Sequence, residues 1–293
     1  MAKKTAFTPK APVEKLPLAI RKDLRDNYDS KKEEYETQIS ELLGTKFTIN
    51  ISPQELWAYV DGFISGLKNF LENYEDEGKT YFNKVVTQSE LTVTVNPLGD
   101  DAPTISADIK DGVFRILFKH DKLGYNQSWL DKNYFVKAVD AVTEETFSLK
   151  AKSSIEKEWE ENVDDLKKEI GEVLNLSDVI LDPNFEEVYA ALKAAKKDDD
   201  DWQSSFGAAI LGYFKDGLLY QLKYAGFKED DMLQEGLAEA VPSKTIKFRI
   251  VKALKSGYRN EAQIEEGVLY LQVKPETWYS NVSDMGDNVM KLL

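Results

Sequence analysis

The sequence predicts an α+β protein composed of two tandem homologous domains, each a small antiparallel sheet covered by helices. The main reason is an internal repeat: residues 107–133 align with residues 262–288 at a constant offset of 155, with eight identities in 27 positions. Unrelated segments of this length would share roughly two residues, so the match indicates one supersecondary unit copied along the chain. Both copies also contain strands of alternating polarity and a helix introduced by proline.

The repeat extends upstream of its best-matching block. Residues 91–95 align with residues 246–250 at the same offset, and both segments alternate apolar and polar residues as half-buried strands do. Further upstream the offset is 130, where Ser52 and Pro53 align with Asp182 and Pro183. Each pair is a polar N-cap followed by proline at the first helical position. The change of offset predicts about 25 additional residues in the second copy.

The predicted domains are a flexible N-terminal tail at residues 1–15, a first repeat at 16–150 and a second repeat at 151–293, with an inserted helical segment at about 195–240. Helices of the first copy are predicted at 16–43, 53–71 and 129–142, with 81–88 continuing the helical layer, and strands at 46–51, 90–95, 104–110 and 113–119. In the second copy we predict helices at 153–174, 183–195 and 202–224, strands at 179–181 and 244–252, and a hairpin at 261–274. Because the later strands follow one another through short turns at Gly112 and Gly267, an antiparallel meander is favoured over a parallel sheet.

Composition excludes several kinds of function. The net charge of −14 argues against general nucleic-acid binding and against docking on anionic lipid. The chain has no cysteine, which excludes disulfides, thiol nucleophiles and thiolate metal sites. No apolar run approaches the roughly 20 residues that cross a bilayer, and the N-terminus does not resemble a signal peptide. We therefore expect a cytoplasmic protein with no cofactor, no metal, no nucleic-acid partner and no membrane span.

The loop after the last strand of each copy combines aromatic rings with small polar side chains, as sugar, nucleobase and peptide sites do. These candidate binding residues are Tyr125, Asn126, Ser128 and Trp129 in the first copy, and Trp278, Tyr279, Asn281 and Ser283 in the second. The structural alternative is that Trp129 and Trp278 close the open end of each layer while the asparagines stabilise turns.

A basic segment in the second copy is a candidate interaction surface. Its cations include Lys244, Lys247, Arg249 and Lys252, with no acidic residue between residues 244 and 259. Lys247 and Arg249 alternate with apolar residues and so share the outer face of a strand. They predict contact with an acidic partner, which could be a second copy of the chain. The alternative is a solvated strand face whose lysines discourage edge-to-edge aggregation.

Two further features could carry chemistry but have simpler explanations. His120 is the only histidine and could act as a general base, although a surface-loop histidine is the default interpretation. The four aspartates at residues 198–201 could hold Ca²⁺ or Mg²⁺, yet they lack the spacing and glycine of a calcium loop. They more simply end one helix and place negative charge at the start of the next.

The predicted helix at residues 202–224 is apolar nearly all round and must be covered, by an inter-domain core, a ligand cavity or another subunit. No catalytic motif and no catalytic residue can be assigned. We therefore predict a non-enzymatic protein that binds a protein partner or self-assembles. One alternative is a carrier of a small apolar ligand in a cavity between sheet and helices. The other is an enzyme that uses carboxylate or tyrosine chemistry.

Overall fold

The computed structural model describes residues 30–51, 57–123, 125–196, 201–255 and 258–293, together with Leu18, Lys22 and Asp26. The chain divides into two compact units between Thr143 and Glu144, whereas the sequence predicted a change of domain after residue 150. The predicted tail, the helix start at residues 52–53 and residues 198–200 lie outside the described residues. Across the described ranges, no helix is both long enough and apolar enough to span a membrane.

The first unit contains helices α1 (Ser30–Leu43), α2 (Trp57–Val85) and α3 (Lys132–Asp140), and strands β1 (Thr48–Ile49), β2 (Glu90–Val95), β3 (Ile105–Lys110) and β4 (Val113–Phe118). Helix α2 joins the predicted helix 53–71 to the segment 81–88, with a break at Glu75, where φ is 45° and ψ is −135°. The strands agree with the predicted ones to within a few residues because alternating polarity marks them clearly.

The second unit contains helices α4 (Leu149–Ser154), α5 (Val163–Leu174), α6 (Phe185–Ala195), α7 (Phe206–Gly212), α8 (Tyr220–Tyr224) and α9 (Asp231–Ala240), and strands β5 (Ile180–Asp182), β6 (Thr245–Ile250), β7 (Asn260–Glu265) and β8 (Val268–Val273). A π-helical segment, Tyr213–Leu219, joins α7 to α8, so residues 206–224 form one continuous helical rod. Helix α6 begins two residues after Pro183, because Asp182 Oδ1 accepts the Asn184 N–H at 2.9 Å in a local turn.

The prediction of an antiparallel meander was wrong, since each sheet is mixed. The strand order is β1-β2-β4-β3 in the first unit and β5-β6-β8-β7 in the second. Strands β2 and β4 are neighbouring and parallel, and β3 pairs antiparallel with β4 at the edge. The segment between β2 and β3 is long enough to place β3 two strand spacings from β2, with about 4.8 Å between neighbouring strands. Strand β4 then lies between β2 and β3.

The two sheets also share their strand register. Leu91 faces Phe114 across β2 and β4, and residues 155 positions later, Ile246 and Leu269, face each other across β6 and β8. Both hairpin turns place two residues at positive φ, 52° and 76° for Asp111 and Gly112, and 51° and 75° for Glu266 and Gly267. That geometry fits a two-residue hairpin and explains the glycine at the second position of each turn.

Helices cover one face of each sheet, and aromatic rings pack between the sheet and the helices. In the first unit the Phe114 ring of β4 lies 5.2 Å from Phe63, 5.6 Å from Phe82 and 5.0 Å from Phe135. In the second unit Phe248 of β6 lies 5.0 Å from Tyr213 of the rod. These contacts bury the inner face of each sheet against the helical layer.

The rod approaches helix α4 closely enough to require glycine at residue 207. A Cβ on Gly207 would lie 2.2 Å from the Ser154 carbonyl oxygen, far inside van der Waals contact. The Ser154 hydroxyl instead accepts the Gly207 N–H at 2.9 Å. Phe206, Ile210, Tyr213, Phe214 and Leu218 of the rod are all fully buried within this unit. The rod predicted to be apolar all round is therefore covered by its own unit.

Candidate functional site

In each unit, two loops leave the sheet at the same end. Because β2 and β4 are neighbouring parallel strands, the loops that follow them lie at one end of the first sheet. Lys119 Nζ donates to the Asp100 carbonyl oxygen at 2.8 Å, and the Asn96 N–H donates to the Phe118 oxygen at 2.8 Å. These bonds tie the two loops together. Strands β6 and β8 have the same arrangement in the second unit.

The predicted aromatic residues of the first unit lie on an ordered turn at this end. Asn126 has a left-handed backbone with φ of 58°, and its carbonyl accepts the Trp129 N–H at 3.0 Å. Tyr125 is 57% exposed and Trp129 is 63% exposed, while Ser128 is also exposed. Trp129 therefore does not close the end of the helical layer, and both rings are available to a partner.

Two more apolar side chains are exposed at the end of β2 and on the loop after it. Val95 is 42% exposed and Leu98 is 64% exposed. We refer to these two side chains and to Tyr125 and Trp129, which follow β4 at the same end of the sheet, as the end surface. The two loops next to it, residues 96–102 and 119–131, contain two lysines and four aspartates. The end surface is thus a group of apolar side chains flanked by acidic loops.

The matching turn of the second unit has the same backbone and a different side-chain arrangement. Asn281 has φ of 49°, and its carbonyl accepts the Asp284 N–H at 3.0 Å. Trp278 is only 8% exposed and its ring lies 6.0 Å from each of Phe206, Tyr213 and Phe248. Of the two tryptophans that were expected to close the end of the layer, only Trp278 therefore does so.

The polar groups around Trp278 stabilise this loop. The Tyr279 N–H donates to the Tyr213 hydroxyl at 2.7 Å, and burial raises the pKa of Tyr213 above its ordinary value. Asn281 Nδ2 donates to Asp284 Oδ2 at 3.1 Å, and the Ser283 carbonyl accepts Gln221 Nε2 at 2.5 Å. These bonds run within the unit, so the second set of predicted residues does not converge on one opening.

The cations predicted as an interaction surface are largely paired within the second unit. Lys247 Nζ lies 3.1 Å from Asp182 Oδ2, and this hydrogen bond raises the pKa of Lys247. Arg249 donates to Gln272 at 2.7 Å and to Glu265 at 2.8 Å. Because Lys255 also contacts Glu265, at 2.9 Å, the hydrogen bonds from Arg249 and then Lys255 lower the pKa of Glu265 to about 2.

The position of β6 removes the edge interpretation of these lysines. Strand β5 pairs with Thr245–Lys247 of β6, and β8 pairs with β6 on its other side, so Lys247 does not protect a sheet edge. Lys244 Nζ donates to the Ser177 carbonyl at 3.1 Å, and Lys252 is exposed on the loop after the strand. With Lys247 and Arg249 already neutralised, little positive charge is left for an acidic partner at this face.

A cleft of about 480 Å³ opens at the corresponding end of the second unit. It lies where β7 begins and where the C-terminal segment passes the sheet. Its lining residues are Tyr258, Arg259, Asn260, Glu261, Asp284, Asp287, Asn288, Lys291 and Leu292. Asn288 fixes one wall, because its side chain accepts the Ala262 N–H at 2.9 Å and donates to the Ala262 carbonyl at 2.8 Å. The exposed edge of β7 is thereby capped by a side-chain amide.

Asn260 is the unusual residue of this cleft. It is 6% exposed, and its Nδ2 donates to the carbonyls of Asn281 at 2.9 Å and Ser280 at 3.4 Å. No group among the described residues donates to its Oδ1. Turning the amide over would set Oδ1 against two carbonyl oxygens, so the acceptor stays directed away from them. A buried acceptor without a donor costs about 1–3 kcal/mol.

Glu261, beside Asn260, is the most deeply buried acid of the cleft at 1% exposed. Its Oε1 accepts the Lys255 N–H at 2.7 Å and Gln272 Nε2 at 2.6 Å. The sequence did not direct attention to Asn260 or Glu261. The signal that could have found Asn260 is a polar residue at the inward position of strand β7, where Ala262 and Ile264 follow on the same face.

The remaining candidates do not form a site. His120 is exposed in the loop after β4, and Asp201 opens the short turn Asp201–Ser205. In the part of the chain that the structure describes, no three His, Cys, Asp or Glu side chains are grouped so that they could hold a metal ion.

Comparison with known proteins gives no relative from which a role could be transferred: no family model, no curated protein and no solved structure matches the chain.

Proposed function

We propose that the protein acts by association rather than by catalysis, and that two copies pair through the end surface of the first unit. The observation that carries this proposal is the exposure of Val95, Leu98, Tyr125 and Trp129, which ranges from 42% to 64%. Tryptophan and tyrosine are the residues most often responsible for binding energy at protein interfaces. The pairing would be isologous, with the same surface used on both copies.

The core of the first unit is complete without Trp129. Phenylalanine rings fill it, including those of Phe47, Phe63, Phe70, Phe82, Phe114 and Phe135. The matched turn in the second unit shows that a tryptophan nearby can be packed inside, as Trp278 is. Trp129 is therefore exposed in a unit that does not need it for stability, which favours a role in contact.

Net charge opposes association of two copies, so the exposed apolar side chains have to supply the binding free energy. The chain carries a net charge of −14. The loops of the end surface, with two lysines and four aspartates, share this acidity. Contact there removes the largest apolar side chains of this end from water.

The turn also limits the entropy lost on association. The backbone bond from Trp129 to Asn126 at 3.0 Å and the bond from Asp131 to the Trp129 carbonyl at 2.8 Å hold both sides of the tryptophan. Lys122 Nζ lies 5.5 Å from the Tyr125 ring centre and restricts it. Groups that are ordered before binding cost less to immobilise on binding.

Sedimentation velocity over a concentration series tests the proposal. The protein is expected to shift from 33.3 kDa towards twice that mass as concentration rises. Trp129→Ala is expected to weaken the association about 30-fold, the size of an interface hot spot, and Tyr125→Ala to weaken it less. Because the contact is apolar, raising the salt concentration should not dissociate it.

Tyr224→Ala is the matched control, because Tyr224 is 81% exposed on α8 in the second unit and lies outside the end surface. It is expected to associate as the unaltered protein does. A single species of 33.3 kDa at every concentration would reject the proposal, and so would equal effects of the Trp129 and Tyr224 substitutions.

We infer in addition that the two units descend from one duplicated ancestral unit. The shared strand order, the shared register and the paired positive-φ turns at an offset of 155 support this inference. Its test is an experimental structure in which strands β2 to β4 are superposed on β6 to β8. A register that differs by one residue would contradict it, because a one-residue slip exchanges the two faces of a strand.

A further inference from the structure

We propose that the second unit binds a small carboxylic acid in a groove beside β5, where its carboxylate pairs with Lys167 and accepts the backbone N–H groups of Val179 and Leu181. The proposal concerns a different unit from the self-association described above and does not depend on it. It rests on a comparison with the matched groove of the first unit, where a carboxylate of the protein itself makes the equivalent contact.

A groove of similar size opens in each unit where a helix leads into the first strand of the sheet. In the first unit it lies beside α1 and has a volume of about 550 Å³. In the second unit it lies between the last turns of α5 and residues 175–179, which lead into β5, and has a volume of about 510 Å³. We call the latter the β5 groove. The two helices align at an offset of 131, where residues 39–43 and 170–174 share three identities in five positions.

In the first unit, side chains of α1 cap the outer edge of β1. The Ile49 N–H donates to Glu36 Oε1 at 2.9 Å, and the Phe47 N–H donates to Ser40 Oγ at 2.9 Å. Both N–H groups point away from the sheet, because the Thr48 N–H between them donates towards β2. A carboxylate and a hydroxyl therefore satisfy the edge groups that the sheet cannot pair.

The second unit lacks both of these caps. At the offset of 131, Lys167 replaces Glu36 and Gly171 replaces Ser40. Neither an ammonium group nor the hydrogen of glycine can accept a hydrogen bond from an N–H group. The change from Glu36 to Lys167 also reverses the charge at the matched position.

The matched N–H groups of β5 are left without an acceptor. Leu181 takes the place of Ile49 in the strand register, since their partners across the ladder are 155 positions apart. The Ile180 N–H donates towards β6 at 2.9 Å, so the N–H groups on either side of it, at Val179 and Leu181, face the outer edge. No described residue accepts a hydrogen bond from either of them.

The geometry of the first unit shows that a carboxylate can reach these groups. Val179 lines the β5 groove and is 8% exposed, and Leu181 is 6% exposed. Phe47 and Ile49 are each only 2% exposed with their caps in place. Because the Glu36 carboxylate reaches the Ile49 N–H from the helix side, a ligand carboxylate in the β5 groove approaches Leu181 along the same direction.

The charges around the β5 groove favour an anion. Lys244 lies beside the groove, because its Nζ donates to a backbone carbonyl of the lining at 3.1 Å. Three lysines therefore stand against two acids, and these residues are Lys167, Lys168 and Lys244 against Glu172 and Asp178. This local excess of positive charge contrasts with the net charge of −14 of the chain and attracts a negatively charged ligand.

The missing cap identifies the chemical group of the ligand. Glu36 shows that a carboxylate satisfies an edge N–H at this position, and Lys167 supplies the opposite charge that an incoming carboxylate needs. The Lys167 Nζ lies 3.6 Å from Asp164, a pair that opens at little cost because the Asp164 side chain is 93% exposed. A volume of about 510 Å³ lies within the range of small-molecule sites.

Amide NMR spectra recorded during a titration with succinate, a small dicarboxylate, test the proposal. The Val179 and Leu181 resonances are expected to move and to saturate, because each N–H gains a charged acceptor. The amides of Phe47 and Ile49 are the matched control, since side chains of α1 already satisfy them. Unmoved resonances at Val179 and Leu181 would overturn the proposal, and so would shifts that sodium chloride reproduces at the same ionic strength.

Two charge-reversing variants locate the binding. Lys167→Glu restores the arrangement of the first unit, so its carboxylate should cap the Leu181 N–H and slow hydrogen exchange there. Succinate affinity should fall at least about tenfold, the effect of one hydrogen bond to a charged group. Lys215→Glu is the matched control, because Lys215 is exposed on the rod and does not line the β5 groove. An equal loss of affinity in both variants would show that net charge, and not the groove, holds the ligand.

Discussion

Asn133 in the first unit and Asn288 in the second align in the sequence at the offset of 155, yet their surroundings differ. Asn288 bonds to both backbone groups of Ala262 and caps the edge of β7. Asn133 lies in the first turn of α3, where its Nδ2 donates to Asp131 at 3.1 Å. The difference follows from what comes next in the chain, since only the first unit continues into a regular helix at this point. Identical residues on matched sheets therefore take their roles from the segment that carries them.

The turns that precede these asparagines show the same contrast. Both begin with a left-handed asparagine, and both continue into a short 3₁₀ segment, Gln127–Trp129 or Val282–Asp284. The first turn ends in an exposed tryptophan and the second ends in an acid that lines a cleft. One backbone thus supports an apolar contact surface in one unit and a polar opening in the other.

The largest expected effect is the difference in stability between substitutions of Trp278 and of Trp129. Trp278→Ala is expected to lower the free energy of unfolding by about 3–5 kcal/mol, because it empties a space bounded by three aromatic rings. Trp129→Ala should change it by less than about 0.5 kcal/mol, as an exposed side chain does. Urea unfolding followed by circular dichroism measures both.

Trp278→Phe separates packing from polarity in the same experiment. The Trp278 Nε1 group is buried and has no acceptor among the described residues, so phenylalanine removes an unpaired donor while keeping most of the ring volume. We expect this variant to retain more than half of the stability lost in Trp278→Ala. Equal losses in Trp129→Ala and Trp278→Ala would contradict the distinction between exposed and buried turns.

The second test compares the asparagines. Asn288→Ala is expected to cost about 1–3 kcal/mol, because it leaves the N–H and C=O of Ala262 without their partners. Asn133→Ala should cost less than about 0.5 kcal/mol, since Asn133 is exposed. Hydrogen exchange at the Ala262 amide provides a local measurement. Exchange should accelerate in the Asn288 variant alone, and unchanged protection there would show that something else caps β7.

Local patterns in the sequence predicted the strands and the hairpin turns but not their arrangement. Alternating polarity and a glycine at positive φ act within a few residues, so Gly112 and Gly267 mark their turns without reference to the rest of the chain. The parallel pairing of β2 with β4 depends on a loop that passes one strand, which no periodicity records.

The candidate sites show the same difference between local features, which the sequence predicts, and long-range features, which it does not. Tyr125 and Trp129 come from one short segment and were named as candidates, but the sequence left open whether Trp129 closes the layer or is exposed. The cleft joins the start of β7 to a segment that follows it by more than twenty residues, so its acids are not neighbours in the chain. The cations of β6 appeared free because Glu265, the acid that pairs with Arg249, belongs to another strand.

The smallest expected effect concerns that pairing, which the first unit lacks because Lys110 stands at the matched position. Arg249 and Lys255 lower the pKa of Glu265 from its ordinary 4.5 to about 2. A carboxyl whose pKa is lowered on folding stabilises the folded state above its unfolded pKa, and that contribution is lost as the proton binds. The stabilisation should therefore be full above about pH 5 and disappear as the pH falls from 4.5 towards 2.

Glu265→Gln should be less stable than the unaltered protein at neutral pH and equally stable near pH 2, as measured by urea unfolding. The difference should be small and should shrink in salt, because 35% of the Glu265 side chain and 63% of the Lys255 side chain are exposed to screening. Glu266→Gln, one residue further along in the turn, is the control. If both variants show the same pH dependence, the network on β6 contributes nothing specific and the two sheets differ only at their ends.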